Sequence, residues 1–223
     1  MSQRRLNKLT TVLRQRQPDL TVIMENVHKP HNLAAVLRTC DAVGVFHTHA
    51  VSADSRVRAS VNAAQGTHRW VPVIKHTRVT EAISAVREQG MQLIAAHPGS
   101  AAVDYREPDY TRPTALLLGS EHDGVTPEAL AAADQQVIVP MHGMAASLNV
   151  SVAAALILYE AEAQRRRAGL YDRPGLNQLV MERLLFEWLQ PRMARYCRER
   201  GLPYPELDED GDLRHHPADT RVT

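Results

Sequence analysis

From Leu20 onward, short apolar runs alternate with stretches of helical period, and this alternation restricts the chain to few architectures. Strands are expected over residues 21–27, 47–51, 92–96, 115–118 and 136–140, with a further one over 70–74. Helices are expected over 33–43, 80–88, 127–134 and 148–167. Units that alternate in this way form an α/β fold, a mainly parallel sheet with helices on both faces. The supply of side chains agrees, because 44% of residues are hydrophobic but only 4% aromatic. The core must therefore be built from Ala, Val, Leu and Ile, which suits helices packed on such a sheet.

At 223 residues the chain has room for one main domain with extensions. We expect a basic helical extension over 1–18, the α/β domain over 19–168, and a helical extension with its tail over 169–223. The first helix, 3–17, is stopped by Pro18. The helix that follows Ser147 is apolar nearly all round, through Val150, Val152, Ile157 and Leu158, and so belongs in the core or in a subunit interface. Beyond Gly169, Leu176, Val180, Leu184 and Trp188 recur every four residues, as on an amphipathic helix. From Gly201 onward, Pro203, Pro205 and the acids Glu206, Asp208, Glu209, Asp210 and Asp212 read as loop or frayed tail.

Several classes of protein fall away. The amino terminus is polar and unlike a signal peptide. No apolar stretch approaches the roughly 20 charge-free residues that cross a bilayer. Cys40 and Cys197 are too few for a four-cysteine zinc site or a disulfide scaffold, so a soluble intracellular protein with reduced thiols is expected. The net charge of +1 says little about partners, but its distribution says more. Arg4, Arg5, Lys8, Arg14 and Arg16 crowd the first segment, Arg165, Arg166 and Arg167 form a run, and Arg183, Arg192, Arg195, Arg198 and Arg200 follow. Such clusters are either phosphate-binding surfaces or solvated helix faces.

Ligands of an open α/β sheet bind beyond the carboxyl ends of its strands, and three such places carry unusual polar sequences. In His28-Lys29-Pro30-His31-Asn32, the asparagine is either a helix N-cap or a site residue. Arg38, on a helix otherwise made of apolar side chains, either snorkels or holds an anion. His28 and His31 lack a third ligand at zinc-site spacing, so no metal is expected. The segment Gly119-Ser120-Glu121-His122-Asp123-Gly124 has neither a Walker lysine nor the G-x-G-x-x-G fingerprint. It is either a plain tight turn or a turn that brings a ligand to the backbone with Glu121 beside it. In the third place, Pro140-Met141-His142-Gly143-Met144 leads to Ser147-Leu148-Asn149, where Ser147 is placed to cap the next helix and backbone N–H groups to face a ligand.

In their order and spacing, Asn32–Arg38, Gly119–Gly124 and Pro140–Ser151 resemble the motifs of the SPOUT class of RNA methyltransferases. Within that class the chain resembles the tRNA (guanosine-18) 2′-O-methyltransferases, from Pro18-Asp19-Leu20-Thr21 to Gly201-Leu202-Pro203-Tyr204-Pro205. The resemblance implies a deep trefoil knot in the carboxyl-terminal part of the sheet. It further implies a cytoplasmic homodimer with the active site near the subunit interface, S-adenosylmethionine as cofactor, tRNA as partner and no membrane. Catalytic roles are implied for Arg38, Asn32, Glu121, Ser147 and Asn149, and cofactor contacts for Ala96, Gly119, Val139 and Leu148. Some relatives carry Thr at the position of Ala96, where only a backbone contact survives the change.

The reaction so implied is an in-line transfer of a sulfonium methyl group to a ribose 2′-oxygen. The donor is already activated, so no metal is needed, and the protein must align the hydroxyl and help remove its proton. A free guanidinium has a pKa of about 12.5–13.8. Arg38 therefore suits a bidentate grip on an RNA phosphate better than the part of a base, with proton loss assisted by phosphate or water. Asn32 is expected to orient Arg38 or the ribose, Glu121 to fix the loop or Arg38, and Ser147 and Asn149 to hold the active-site loops. The same chemistry on ribosomal RNA, or a non-catalytic RNA-binding module of the same fold, are the alternatives.

Overall fold

In the computed structural model, described over residues 3–52 and 69–215, the helix α1 (Gln3–Arg14) precedes a segment that holds every strand. These are β1 (Leu20–Glu25), β2 (Thr48–Val51), β3 (Val73–His76), β4 (Gln92–Ala96), β5 (Val103–Asp104), β6 (Thr114–Leu118) and β7 (Gln135–Ile138). They form one sheet in the order β3-β2-β1-β6-β4-β7-β5, parallel at every described pairing. The chain lays β2 and β3 outward from β1 on one side, crosses to place β4 on the other, then returns to insert β6 between β1 and β4. The directions diverge at β6, so the crevice beyond its carboxyl end is the topological switch point where such sheets bind ligands. The two-residue β5 has no apolar run to announce it, and β3 lies at 73–76 where 70–74 was expected.

Side chains alternate across each strand, so the sheet separates two cores. Leu20, Val22 and Met24 of β1 and Leu116 and Leu118 of β6 cluster with Leu33, Val36 and Leu37 of α2 (Pro30–Ala42). The same cluster takes in Ala154, Ile157 and Leu158 of the long carboxyl-terminal helix of this segment. Ile23, Leu93, Ala115 and Leu117 point the other way, toward Val79, Ala82 and Val86 of α3 (Val79–Glu88) and Ala129 of α4 (Pro127–Ala131). That long helix is α5 (Val150–Arg167), and it is not buried all round. Ala154, Ile157, Leu158 and Ala161 face inward, while Val152 and Tyr159 stay half exposed beside Leu156.

Two helix starts differ from expectation. Pro30 occupies the first turn of α2 and Lys29 the N-cap, which places Asn32 inside the helix and rules out its reading as the cap. Asn149, not Ser147, caps α5, because its side chain accepts from Ser151 N. The arginine run also divides. Arg165 is wholly buried and donates to Tyr110 O, Gln17 Oε1, Asp19 Oδ1, Asp19 O and Arg112 O at 2.7–3.2 Å. It ties the first residues of the sheet-bearing segment to its last helix, whereas Arg166 and Arg167 lie exposed against Glu162 and Glu160.

The chain clusters into two compact units, Gln17–Leu170 and a second made from the flanking segments. In the second, α1 buries Leu9 and Leu13, and α6 (Gln178–Leu189) buries Leu184, Phe186, Trp188 and Leu189. Pro191 starts a separate helix, α7 (Pro191–Arg200), which Gly201 ends in the left-handed conformation. Arg16 is buried with its guanidinium 5.8 Å from the Trp188 ring, so it is not part of the basic surface. Arg4, Arg5, Lys8, Arg14, Arg183, Arg192 and Arg195 form no ion pair with the described residues. The segment after Gly201 is a loop as expected, but it is not frayed up to His215. Tyr204 stacks on Phe186 with centroids 4.5 Å apart, and Asp208 Oδ1 accepts from the N–H groups of Asp210 and Asp212. The expected tail beyond His215 lies outside the described residues. No described helix is long and apolar enough to cross a membrane, and neither buried cysteine is in a disulfide.

Candidate active site

An open cavity of about 530 Å³ lies beyond the carboxyl ends of β4, β6 and β7, a size within the roughly 300–1,000 Å³ of small-molecule sites. Ala96, Gly119, Val139 and Leu148, the four residues expected at the cofactor, all line it, as do Glu121, Ser147 and Asn149. The loop after β6 closes on itself through Ser120 N to Gly124 O (3.0 Å) and Gly124 N to Ser120 O (3.1 Å). A Cβ on Gly119 would stand 2.0 Å from Gly124 C and 2.2 Å from Val125 N. The segment is thus both a tight turn and a wall of the cavity.

Three side chains from distant parts of the chain meet beside this loop. Asn149 Oδ1 accepts from Ser151 N (2.8 Å), and a backbone N–H can only donate, so Nδ2 is the atom turned toward Asn32. It donates to Asn32 Oδ1 at 3.2 Å. That fixes the Asn32 amide in turn, and its Nδ2 donates to Glu121 Oε1. The start of α5 therefore sets the direction of every bond in the relay, and the orientation of both amides follows from chemistry. Asn32 is 2% exposed, so an unpaired amide there would be costly.

Arg38 stands apart. It is exposed, forms no hydrogen bond or ion pair with the described residues, and does not line the cavity. It follows Asn32 by six positions, roughly 120° around the helix. Against expectation, neither Asn32 nor Glu121 bonds to Arg38; they bond to each other. Ser147 lines the cavity without capping α5.

Several polar groups near the site were not singled out from the sequence for a role there. His28 Nδ1 is 2.9 Å from Asn26 O and 4.0 Å from Glu121 Oε2. That Glu121 oxygen is buried and has no hydrogen-bond partner among the described residues. Lys29, His97 and His122 also line the cavity. Glu25, at the end of β1, is 2% exposed and accepts from Thr126 N (3.0 Å) and Thr126 Oγ1 (2.7 Å). An acid at the end of an apolar strand was the available signal for it.

Residues 19–159 match the SpoU rRNA Methylase family, and residues 163–216 match the family described as SpoU, rRNA methylase, C-terminal. The chain belongs to the SpoU rRNA methylase family. This SpoU chain is 50% identical over 215 residues to the tRNA (guanosine(18)-2′-O)-methyltransferase of Escherichia coli (strain K12), covering 96% of the chain and 94% of that relative. Its fold matches the crystal structure of an A. aeolicus TrmH/SpoU tRNA modifying enzyme with a TM-score of 0.76 and 40% identity, over 83% of this chain and 94% of that one. It also matches the SpoU methyltransferase AviRb from Streptomyces viridochromogenes in complex with AdoMet, with a TM-score of 0.60 and 27% identity, over 69% of this chain and 62% of that one.

A strongly displaced titration in this SpoU chain lies away from the cavity. On β2 and β3, His49 Nδ1 is 2.9 Å from His76 Nε2, and the rings stack 5.1 Å apart. Burial, then the neighbouring His47 and His76, pushes the His49 pKa down to about 3. His47 and His76 are also lowered, mainly by burial. These neutral histidines are packing residues of the far side of the sheet.

Proposed function

We infer that the chain is an S-adenosylmethionine-dependent methyltransferase that methylates the ribose 2′-hydroxyl of guanosine 18 in tRNA. The observation that carries the reading is the 50% identity over almost the whole chain to a relative of that name. The cavity fits the cofactor. Val137, Leu148 and Ile157 offer apolar surface, the polar loops offer backbone groups, and the orphaned Oε2 of Glu121 suits a cationic ligand. Ala96, Gly119, Val139 and Leu148 would hold S-adenosylmethionine, which supplies an activated methyl group when bound. Asn149 and Asn32 keep Glu121 in place, and Ser147 holds the loop before α5.

Arg38, exposed and without a partner among the described residues, is the residue we assign to an RNA phosphate. Its fork grips two oxygens and so orients the ribose hydroxyl, whose proton passes to phosphate or water. Arg4, Arg5, Lys8, Arg14, Arg183, Arg192 and Arg195, which form no ion pair with the described residues, serve the same polyanion. The exposed stripe of Val152, Leu156 and Tyr159 on α5 is the face we assign to a second copy in a homodimer. To this reading also belong the trefoil knot of the loops around the cavity, the sheet-bearing segment as the methyltransferase domain, and action in the cytoplasm.

The test is labelled methyl donor with tRNA transcripts that carry or lack guanosine 18, with ribosomal RNA as comparison. Labelling confined to guanosine-18 tRNA is expected. Equal labelling without that guanosine rejects the target, and no labelling of any RNA rejects the chemistry. Arg38→Lys keeps the charge and loses the fork, so near-normal turnover in it removes the bidentate role.

A further inference from the structure

We propose that Glu25 is a positioning residue that holds the exit of the glycine-rich loop, and with it the cofactor-binding wall, through its two hydrogen bonds to Thr126. A carboxylate that is 2% exposed is costly to bury unless its oxygens are satisfied. Here both oxygens are taken by one residue, 101 positions away, through Thr126 N and Oγ1. A carboxylate only accepts, so the Thr126 hydroxyl must donate to Glu25. The lone pairs left on that hydroxyl accept from Ala129 N at 3.3 Å and cap α4.

The loop between Gly119 and Thr126 is then tied at both ends to one turn. At its start, Glu121 is held by Asn32 of α2, and at its exit Thr126 is held by Glu25 of β1. Glu25 and Asn32 flank the turn between β1 and α2, and the two ties run in opposite order along the chain. The loop cannot slide along α2 while both are made. With only the Asn32 tie left, it can pivot about Glu121, and Gly119 and Gly124 in the cavity wall move with it. Thr126 already caps α4 with its own oxygen, so helix stability alone gives no reason to bury an acid beneath it. A well-packed apolar side chain in place of Glu25 would carry no desolvation cost. What the acid adds is a fixed position for Thr126.

The proposal rests on the reading that this cavity binds S-adenosylmethionine. It is tested by calorimetric titration of S-adenosylmethionine into the full-length protein and its Glu25→Gln, Thr126→Val and Thr126→Ser variants and the Glu25→Gln/Thr126→Val double variant, with KM, kcat and Tm measured on each. Glu25→Gln and Thr126→Val are expected to weaken binding about tenfold, the ratio equivalent to about 1.4 kcal/mol. KM should rise by the same factor, with kcat at saturating donor changed less than about twofold. Thr126→Ser, which keeps the hydroxyl, should recover most of the affinity that Thr126→Val loses. The double variant should bind no worse than the weaker single one, since both changes break one tie. Wild-type affinity in the single variants, whatever their Tm, makes Glu25 merely structural and overturns the proposal while the methyl-transfer reading stands. Additive losses overturn it as well. If the wild type binds no S-adenosylmethionine, both fall. Should Glu25→Gln fail to fold, Glu25→Met, which removes both acceptors and leaves Thr126 to cap α4, takes its place with the same two outcomes.

Discussion

Asn149→Asp reverses the relay at its source while sparing the helix that it caps. Aspartate keeps the oxygen that accepts from Ser151 N, and it is as good an N-cap as asparagine. The change falls on the other atom, 3.2 Å from Asn32 Oδ1, where an amide donor becomes a carboxylate oxygen. Two acceptors then face each other. If Asn32 turns over to relieve them, its oxygen meets Glu121 instead and that carboxylate loses its donor. Either way one hydrogen bond of the relay is lost and two buried acceptors are left facing each other, at a cost of about 1–3 kcal/mol, or about 5–150-fold if it falls on the rate. The assay is methyl transfer from pH 5.5 to 9, with Tm followed in parallel. At pH 8 the variant should be slower by up to about that factor, with Tm lowered by about 2–4 °C for each kcal/mol lost. Its deficit should shrink as the pH falls, because the introduced carboxyl, once protonated, regains a donor and restores the original pattern, and an acceptor partner favours that neutral form. Wild-type turnover at pH 8, or a deficit that stays constant across the range, would refute the relay.

Gly119→Ala forces a Cβ to within 2.0 Å of Gly124 C, so the loop must open at a cost of about 3 kcal/mol. Calorimetry should show S-adenosylmethionine binding abolished, and affinity within threefold of wild type would show that the loop adapts. Arg165→Met leaves Asp19 and three carbonyl oxygens without their buried donor. It should cost about 2–4 kcal/mol in urea unfolding, mainly from the unsatisfied carbonyls, against little change for the exposed Arg166→Ala; equal effects would contradict the clamp. His49 takes up a proton near 6.5 when unfolded but only near 3 when folded, so the unfolded state protonates first. Its contribution is full above pH 6.5 and is lost as the pH falls toward 3, about 2 kcal/mol of it by pH 5. Urea unfolding at pH 8 and pH 5 should show that much less acid loss in His49→Gln, and an identical loss in both proteins would disprove the assignment.

The strands were readable because a buried parallel strand needs a run of apolar residues, and β4 falls on residues 92–96 as expected. That Ala96, Gly119, Glu121, Val139, Ser147, Leu148 and Asn149 gather at one cavity was readable too, from their place at strand ends and from family likeness. Their orientation was not. Asn32 looks like a cap until Pro30 takes the first helical turn and moves the start of α2 ahead of it. Ser147 looks like a cap until the chain stays extended for two more residues and hands the task to Asn149. Arg165 sits in a run of three, and only the phase of α5 against the sheet selects it for burial. Glu25 and Arg16 each depend on partners more than a hundred positions away, Thr126 and Trp188, which no local pattern relates to them. Sequence patterns report the period of a segment, whereas a polar contact depends on its rotation and on what arrives opposite.

The buried guanidinium of Arg165 has a consequence for how the protein is made. Because it fastens Gln17 and Asp19 to the far end of α5, the sheet-bearing segment can close as soon as Leu170 has left the ribosome. The helix α1 emerges well before that, yet Leu9 and Leu13 belong to a unit whose other buried apolar residues lie at Leu176 and on α6 and α7. At about 5–20 residues per second, their cover arrives roughly 10–30 s after they do. The helix α1 is thus synthesised ahead of the sheet yet is among the last elements to find its place. A chain halted between α5 and α6 would present a finished sheet together with an uncovered amino-terminal helix, the form in which a holding chaperone would meet it.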